Sequence, residues 1–281
     1  MSRNDVVGTI AIDNGGSSTC VVTRNTADWF PSVKSLYGER TLTIPKGKKD
    51  YIIEYKGESY IGGFLAKYDS VMPLQSHSKS KQNLFFDLSI LIAIHQYGFL
   101  DNYLITTCPV SSHNEDEKNG IRERLVGSHT IKINNVSKTF RISDVKVVPE
   151  GAAAFWTFEP KGVSRFLDVG SRTVNFVSVL NDEDATRYLD SQSGTFFGQG
   201  VEALDNNYNP KGLADFLAGR LFAKSWNETD EQIYILGGGA LDSDFVERFN
   251  DYFPHAKVLN DPVMSNAKGL YVLGRHAYQM N

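Results

Sequence analysis

The feature that most constrains this chain is a unit that occurs twice. Ile10-Ala11-Ile12-Asp13-Asn14-Gly15 and Arg165-Phe166-Leu167-Asp168-Val169-Gly170 each run as an apolar strand into an aspartate and a glycine turn, 155 residues apart. Small hydroxyl residues come next in both: Ser17, Ser18 and Thr19 in the first copy, Ser171 and Thr173 in the second. A buried strand fixes a carboxylate at its end, and glycine lets the chain turn tightly enough to bring backbone N–H groups to an anion. Taken singly, a strand–Asp–turn–strand unit is an ordinary hairpin. Two copies predict a duplicated α/β fold whose halves each carry a phosphate-binding loop and face each other across a cleft. The carboxylates would meet phosphate with repulsion, so they require Mg²⁺ and its waters, or a nucleophilic water, in between.

The rest of the pattern fits such a fold. Val6–Ile12 and Thr19–Thr23 read as strands joined by Asn14-Gly15-Gly16-Ser17-Ser18, and short strands and turns run from Phe30 to about Gly63, with a hairpin at Lys56-Gly57-Glu58. Apolar residues at helical spacing over Lys81–Tyr97 predict the longest helix, apolar over most of its circumference and therefore central. Tyr103–Cys108 is a strand, Glu115–Leu125 a polar, exposed helix, Thr130–Ile142 a hairpin turning at Asn134-Asn135, and Val145–Val148 a further strand. After the second copy come a strand near Ala185–Leu189, two helices within Gly200–Trp226, a strand at Gln232–Leu236, a helix over Asp242–Phe253, a short strand at Ala256–Leu259 and a last helix over Asn266–His276. Strands and helices mixed in this order, with hairpins, predict mixed sheets.

Composition narrows the function. At about 100–200 residues per domain, 281 residues make one large or two modest domains. Lys and Arg number 29 against 33 Asp and Glu, a formal net charge of −4, which argues against a surface that binds nucleic acid unaided. Hydrophobic residues at 41% fill a core. Two cysteines and six histidines show no disulfide framework and no ligand spacing for a transition metal. The start, Met1–Asp5, lacks the apolar core of a signal peptide, and Leu84–Leu100 is interrupted by Asp87, His95 and Gln96, so a cytoplasmic protein without a membrane span is expected.

Two further motifs carry chemistry. In Val148-Pro149-Glu150-Gly151-Ala152-Ala153-Ala154, proline and small residues open a helix and place Glu150 at its start. There it is either a capping acid favoured by the helix dipole or a carboxylate that orients or deprotonates an attacking water. Ile235-Leu236-Gly237-Gly238-Gly239-Ala240 is a strand opening into three glycines, suited to close approach of backbone to a base or an α-phosphate.

Together these residues resemble the actin superfamily, and most closely the bacterial actin-like plasmid-segregation proteins of the ParM and Alp type. Asp13-Asn14-Gly15 is similar to phosphate loop one, Leu167–Ser171 to phosphate loop two, Pro149–Ala152 to the segment whose glutamate or glutamine positions the hydrolytic water, and Ile235–Ala240 to the adenosine loop. The end, Asp261-Pro262 through Ser265–Tyr271, resembles the Asn-Ala-x-Gly helix that closes such proteins. The resemblance implies an actin-like (ribonuclease H-like, duplicated) two-domain fold with a nucleotide cleft, residues 1–150 and 258–281 forming one domain and 151–257 the other. It implies an ATPase that forms filaments and moves plasmid DNA through a DNA-binding adaptor of the ParR type, touching centromere DNA only indirectly. Implied catalytic residues are Glu150, Asp13 and Asp168, the two aspartates holding Mg²⁺ through water. Implied nucleotide contacts are Asn14, Gly15, Gly16, Ser17, Ser18, Gly170, Ser171, Gly237, Gly238, Gly239 and Ala240.

This sequence departs from that pattern in two places. Relatives carry a lysine near the β-phosphate seven residues after the first aspartate; here Cys20 stands there, so Mg²⁺ or another basic residue must supply the charge. The stretch between Gly170 and Gly237 leaves little room for the outer subdomain of the second domain, and holds no clear pair to grip base and ribose, so the nucleotide is ATP or GTP. A sugar or acetate kinase or a polyphosphatase of the same superfamily is the alternative, but no acceptor motif is visible. A chaperone-like module would need a separate peptide-binding domain, and the nucleotide core nearly uses up the chain.

Overall fold

The computed structural model describes residues 6–38, 47–70, 80–204 and 207–279. The opening Met1–Asp5, expected to carry no leader, lies outside them. Contacts divide the chain into two units, residues 1–107, 114–147 and 274–281 in the first and 108–113 and 148–273 in the second. The sequence assigns 258–281 to the first domain; by contacts, 258–273 go with the second unit.

The first unit is built on a nine-stranded sheet in the order β3-β2-β1-β7-β9-β8-β5-β6-β4. These strands are β1 (Val7–Asn14), β2 (Ser18–Thr23), β3 (Thr26–Pro31), β4 (Lys34–Leu36), β5 (Asp50–Tyr55), β6 (Glu58–Gly63), β7 (Asp101–Cys108), β8 (Gly127–Ile133) and β9 (Val136–Pro149). Two-residue turns set the hairpin registers: Lys56-Gly57 and Asn134-Asn135 all have positive φ, the geometry that matches strand twist. Helix α1 is Phe64–Asp69, α2 Leu84–Tyr97 and α3 Glu115–Leu125.

Helix α2 starts three residues later than its apolar spacing suggests, because the Asn83 side chain accepts from the Phe86 N–H and caps it there. Every residue from Phe86 to His95 is buried, as an all-round apolar helix requires. Its polar members are matched: Asp87 pairs with Arg124, and Ser89 receives the Lys34 ammonium. Strand β9 is one 14-residue strand, where the sequence suggests a hairpin arm and a separate strand.

The second unit carries the order β12-β11-β10-β14-β15, with β13 also pairing β11. Its strands are β10 (Gly162–Val169), β11 (Thr173–Asn181), β12 (Thr186–Tyr188), β13 (Gly194–Phe197), β14 (Ile233–Leu236) and β15 (Lys257–Val258). Among the described residues of Gly200–Trp226 there is one α-helix, α4 (Pro210–Phe222), where two are expected from the sequence. Helices α5 (Ser243–Asn250) and α6 (Ser265–Tyr278) complete the set. Leu213, Leu217 and Leu221 of α4 pack with Phe245 and Phe249 of α5, Trp226 and the β10–β11 residues Leu167, Val169 and Phe176. Arg165 is buried beneath this sheet, ion-paired to Asp230 at 2.5 Å, bonded to Ser178, Gln192 and the Ser225 carbonyl, and stacked on Trp226.

The duplication is visible in the topology. β1 pairs antiparallel with β2 and parallel with β7; β10 pairs antiparallel with β11 and parallel with β14.

Candidate functional site

In the first unit, parallel pairing of β1 with β7 sets Ile12 beside Thr106, and Thr107 Oγ1 donates to Asp13 Oδ1 at 2.8 Å. The carboxylate is thus held at the end of a buried strand while Asp13 itself stays half-buried. The next turn closes with Gly15 N–H donating to the Ser18 carbonyl at 3.0 Å. Asn14 is buried beneath it, its Oδ1 accepting from Thr19 Oγ1 at 2.8 Å, and the Ser17 carbonyl accepts from Ser32 N–H at 2.8 Å. Gly15 is exposed and Gly16, Ser17 and Ser18 are half-buried, so a rigid loop presents its outer side.

Two lysines adjoin this loop, and sequence reasoning singles out neither. Lys81 Nζ donates to the Asn14 carbonyl at 2.6 Å. Lys34, 2% exposed, donates to the Ser32 carbonyl at 2.7 Å and to Ser89 Oγ. Burial first, and the positive charge of Lys81 second, pull the Lys34 ammonium down to about 7.

The second unit gathers three of the sequence-predicted segments around Asp168. Its loop repeats the first turn, with Gly170 N–H donating to the Thr173 carbonyl at 3.0 Å. A Cβ on Gly170 would lie 2.9 Å from that carbonyl oxygen. A Cβ on Gly151 would come within 3.0 Å of the Asp168 Cβ, and one on Gly237 within 2.4 Å of Asp168 Oδ1. Glu150-Gly151 and the triple glycine therefore both press on this aspartate. Gly237 takes φ +84°, which a residue with a side chain could not adopt without strain, and its N–H donates to the Pro262 carbonyl at 3.0 Å. Around Gly238, by contrast, lies open space, and Ala240 is buried.

The segment 198–203 clasps the loop, Glu202 and Ala203 N–H donating to the Ser171 carbonyl and Gly198 and Gly200 N–H to that of Arg172. Burial pulls the Arg172 guanidinium below its usual range, against the opposing pull of Glu202. The Ser171 hydroxyl is buried with no partner among the described residues. An orphaned donor at a glycine turn suits an anionic oxygen.

Glu150 does not sit at a helix start as its sequence suggests. Gly151 turns into the left-handed region at φ +80° and leads into a 3₁₀ segment, Ala152–Thr157, too short for a dipole to matter. The carboxylate is instead 6% exposed and held by another side chain: Asn175 Nδ2 donates to Glu150 Oε2 at 2.8 Å. Asn175 is oriented in turn by Thr195 Oγ1 at 2.7 Å and Val110 N–H at 3.3 Å, both donating to its Oδ1. Asn175 lies two residues from Thr173 on one face of β11; that spacing is a usable signal, but nothing local names Glu150 as its partner. Helix α3, expected from its sequence to be exposed, buries Glu117 of its first turn.

Among the described residues no three acidic, histidine or cysteine side chains converge to hold a metal directly. Asp13 and Asp168 are hard oxygen donors, so they suit Mg²⁺ held through its own waters and do not suit a caged transition metal. No helix among the described residues is long and apolar enough to cross a membrane.

Comparison with known proteins agrees with this fold. The N-terminal domain model of the actin-like proteins matches residues 11–152, half of the chain. No curated protein matches. Among solved structures, a 15-stranded ParM filament from Clostridium botulinum is 18% identical with a TM-score of 0.76, covering 96% of this chain and 99% of its own. The filament of AlfA from the B. subtilis plasmid pLS32 is 19% identical, TM-score 0.72, covering 94% and 97%; an AlfA filament bound to AMPPNP has the same identity and score, covering 98% and 99%. The archaeal actin homolog Ta0583 in complex with ADP is 16% identical, TM-score 0.75, covering 96% and 99%. With one carboxylate-and-glycine loop in each unit and the family model spanning the first of them, the chain belongs to the actin-like proteins.

Proposed function

We propose that this protein is a nucleotide-dependent, filament-forming ATPase that drives plasmid DNA segregation through a DNA-binding adaptor. The observation that carries the reading is the convergence on Asp168 of the second loop, Glu150-Gly151 and the triple glycine, in a chain that repeats the same turn after Asp13. The nucleotide-bound and filamentous relatives support it by shared fold.

In this reading Asn14, Gly15, Gly16, Ser17 and Ser18 in the first unit, and Gly170 and Ser171 in the second, contact phosphate oxygens. Gly237, Gly238, Gly239 and Ala240 approach the nucleoside end, ATP or GTP. Asp13 and Asp168 are the residues that would hold Mg²⁺ through its waters, and the ion would offset phosphate charge. Glu150, fixed by Asn175, orients a water and accepts its proton as the water oxygen bonds to the γ-phosphorus and the bond to the β–γ bridging oxygen breaks. Subunits associate around bound nucleotide, and hydrolysis releases them.

The test is right-angle light scattering with Mg²⁺-ATP, then negative-stain microscopy. Filaments that appear with nucleotide and vanish as phosphate is released support the reading. ATP turnover with no polymer at any concentration sinks it in favour of a soluble phosphotransferase or phosphatase of the same fold.

A further inference from the structure

We infer that Lys81 is the basic residue of the first phosphate loop. The inference rests on the proposed nucleotide site and adds to it a residue from outside the loop. The loop begins at a carboxylate, Asp13, so a polyphosphate seated there needs a nearby cation. Strand β2 supplies none: the residue directly across from Asp13 is Cys20, 3% exposed. Among the described residues, an ammonium that reaches the loop comes from 67 residues further along the chain, Lys81 Nζ lying 2.6 Å from the Asn14 carbonyl.

Its place is enforced from behind. Glu117, on α3 and 6% exposed, accepts from Lys81 N–H at 2.5 Å, from Ser80 Oγ at 2.8 Å and from Gln82 Nε2 at 2.8 Å. Asn114 accepts from the Glu117 N–H at 2.9 Å, locking the first turn of α3 beneath it. A Cβ at Gly120 would lie 2.0 Å from Gln82 Oε1, so this helix also leaves the room that Gln82 needs. A buried carboxylate given over to residues 80–82 fixes where one lysine can reach. The buried amine of Lys34 lies on the same side, close enough for the Lys81 charge to weigh on its protonation.

The test measures binding of fluorescently labelled ATP and ADP by anisotropy, at protein concentrations that give no light scattering. Lys81→Gln keeps a donor for the Asn14 carbonyl and removes the charge; Lys81→Arg keeps both. Loss of a charge-assisted contact predicts binding weaker by about tenfold or more in Lys81→Gln, with Lys81→Arg close to wild type. The salt dependence of binding should fall in the glutamine variant alone. Binding within about twofold of wild type in Lys81→Gln overturns the inference, as does an equal loss in Lys81→Arg, which would mean that fit and not charge is at stake. Should Lys81→Gln not fold, Glu117→Gln is the second variant; it leaves the lysine charged but loosens its seat, and unchanged affinity there overturns the inference. If wild type binds neither nucleotide, the nucleotide reading itself fails.

Discussion

Replacing Lys34 by methionine isolates one buried charge. Lys34 is sealed in β4, and its ammonium is pulled from 10.5 down to about 7 by burial and then by Lys81. Between those two values the unfolded chain holds a proton that the folded chain does not. Stability therefore rises with pH across that window and is lost as pH falls towards 7; below 7 both states are protonated and the dependence ends. Each pH unit inside the window is worth about 1.4 kcal/mol, so from pH 7.5 to 9.0 wild type should gain about 2 kcal/mol relative to Lys34→Met, which fills similar space and does not titrate. The comparison at matched pH cancels the other titrating groups. Trp29 lies in the first unit and Trp156 and Trp226 in the second, so urea unfolding monitored by ¹⁹F NMR of 5-fluorotryptophan reads the first unit separately. A stability difference that stays flat to within about 0.5 kcal/mol over that range, well under the linkage slope, would show that Lys34 is not the buried titrating group described here.

Glu150→Ala is expected to polymerise with ATP and to release phosphate about 10²–10⁴-fold more slowly, leaving persistent filaments; release within about threefold of wild type would reduce Glu150 to a structural residue. Asp230→Ala strands the buried guanidinium of Arg165 and should destabilise the second unit by about 3–5 kcal/mol, read as an earlier urea transition at Trp226. In Gly269→Ala the new Cβ would fall 1.8 Å from the Ala153 carbonyl oxygen, a backbone atom that cannot swing away. Loss of about 3 kcal/mol or more is expected, and a thermal midpoint equal to wild type would mean that α6 can lift off this segment.

The features legible in the sequence are those encoded locally. The Asp-Gly turns, the Asn134-Asn135 and Lys56-Gly57 hairpins and the all-round apolar α2 each state their geometry within a few residues. Strand β9 reads as two pieces because Ser143-Asp144 interrupts its apolar pattern, while its neighbours in the sheet keep it continuous. Helix α1, six residues long, is too short to show a period. Pro149–Ala154 has a helix-opening composition, but Gly151 at φ +80° turns the chain first, and Glu150 takes its support from β11. The same blindness to long-range contacts hides Lys81 and Glu117, whose partners are fixed only when α3 packs under residues 80–82.

The sheet margins set a condition on any self-assembly. Strands β4 and β12 have three residues each and β15 has two, while β3 ends in Pro31, whose nitrogen has no hydrogen to donate. Among the described residues, the three short rims offer no long run of open backbone for a second chain to extend. Two copies meeting at β4, β12 or β15 would gain few ladder bonds, so these rims are poor templates for cross-β growth. Copies of this chain that met at those rims would be held by side-chain surfaces and not by a shared ladder, and such contacts can part without unfolding a sheet.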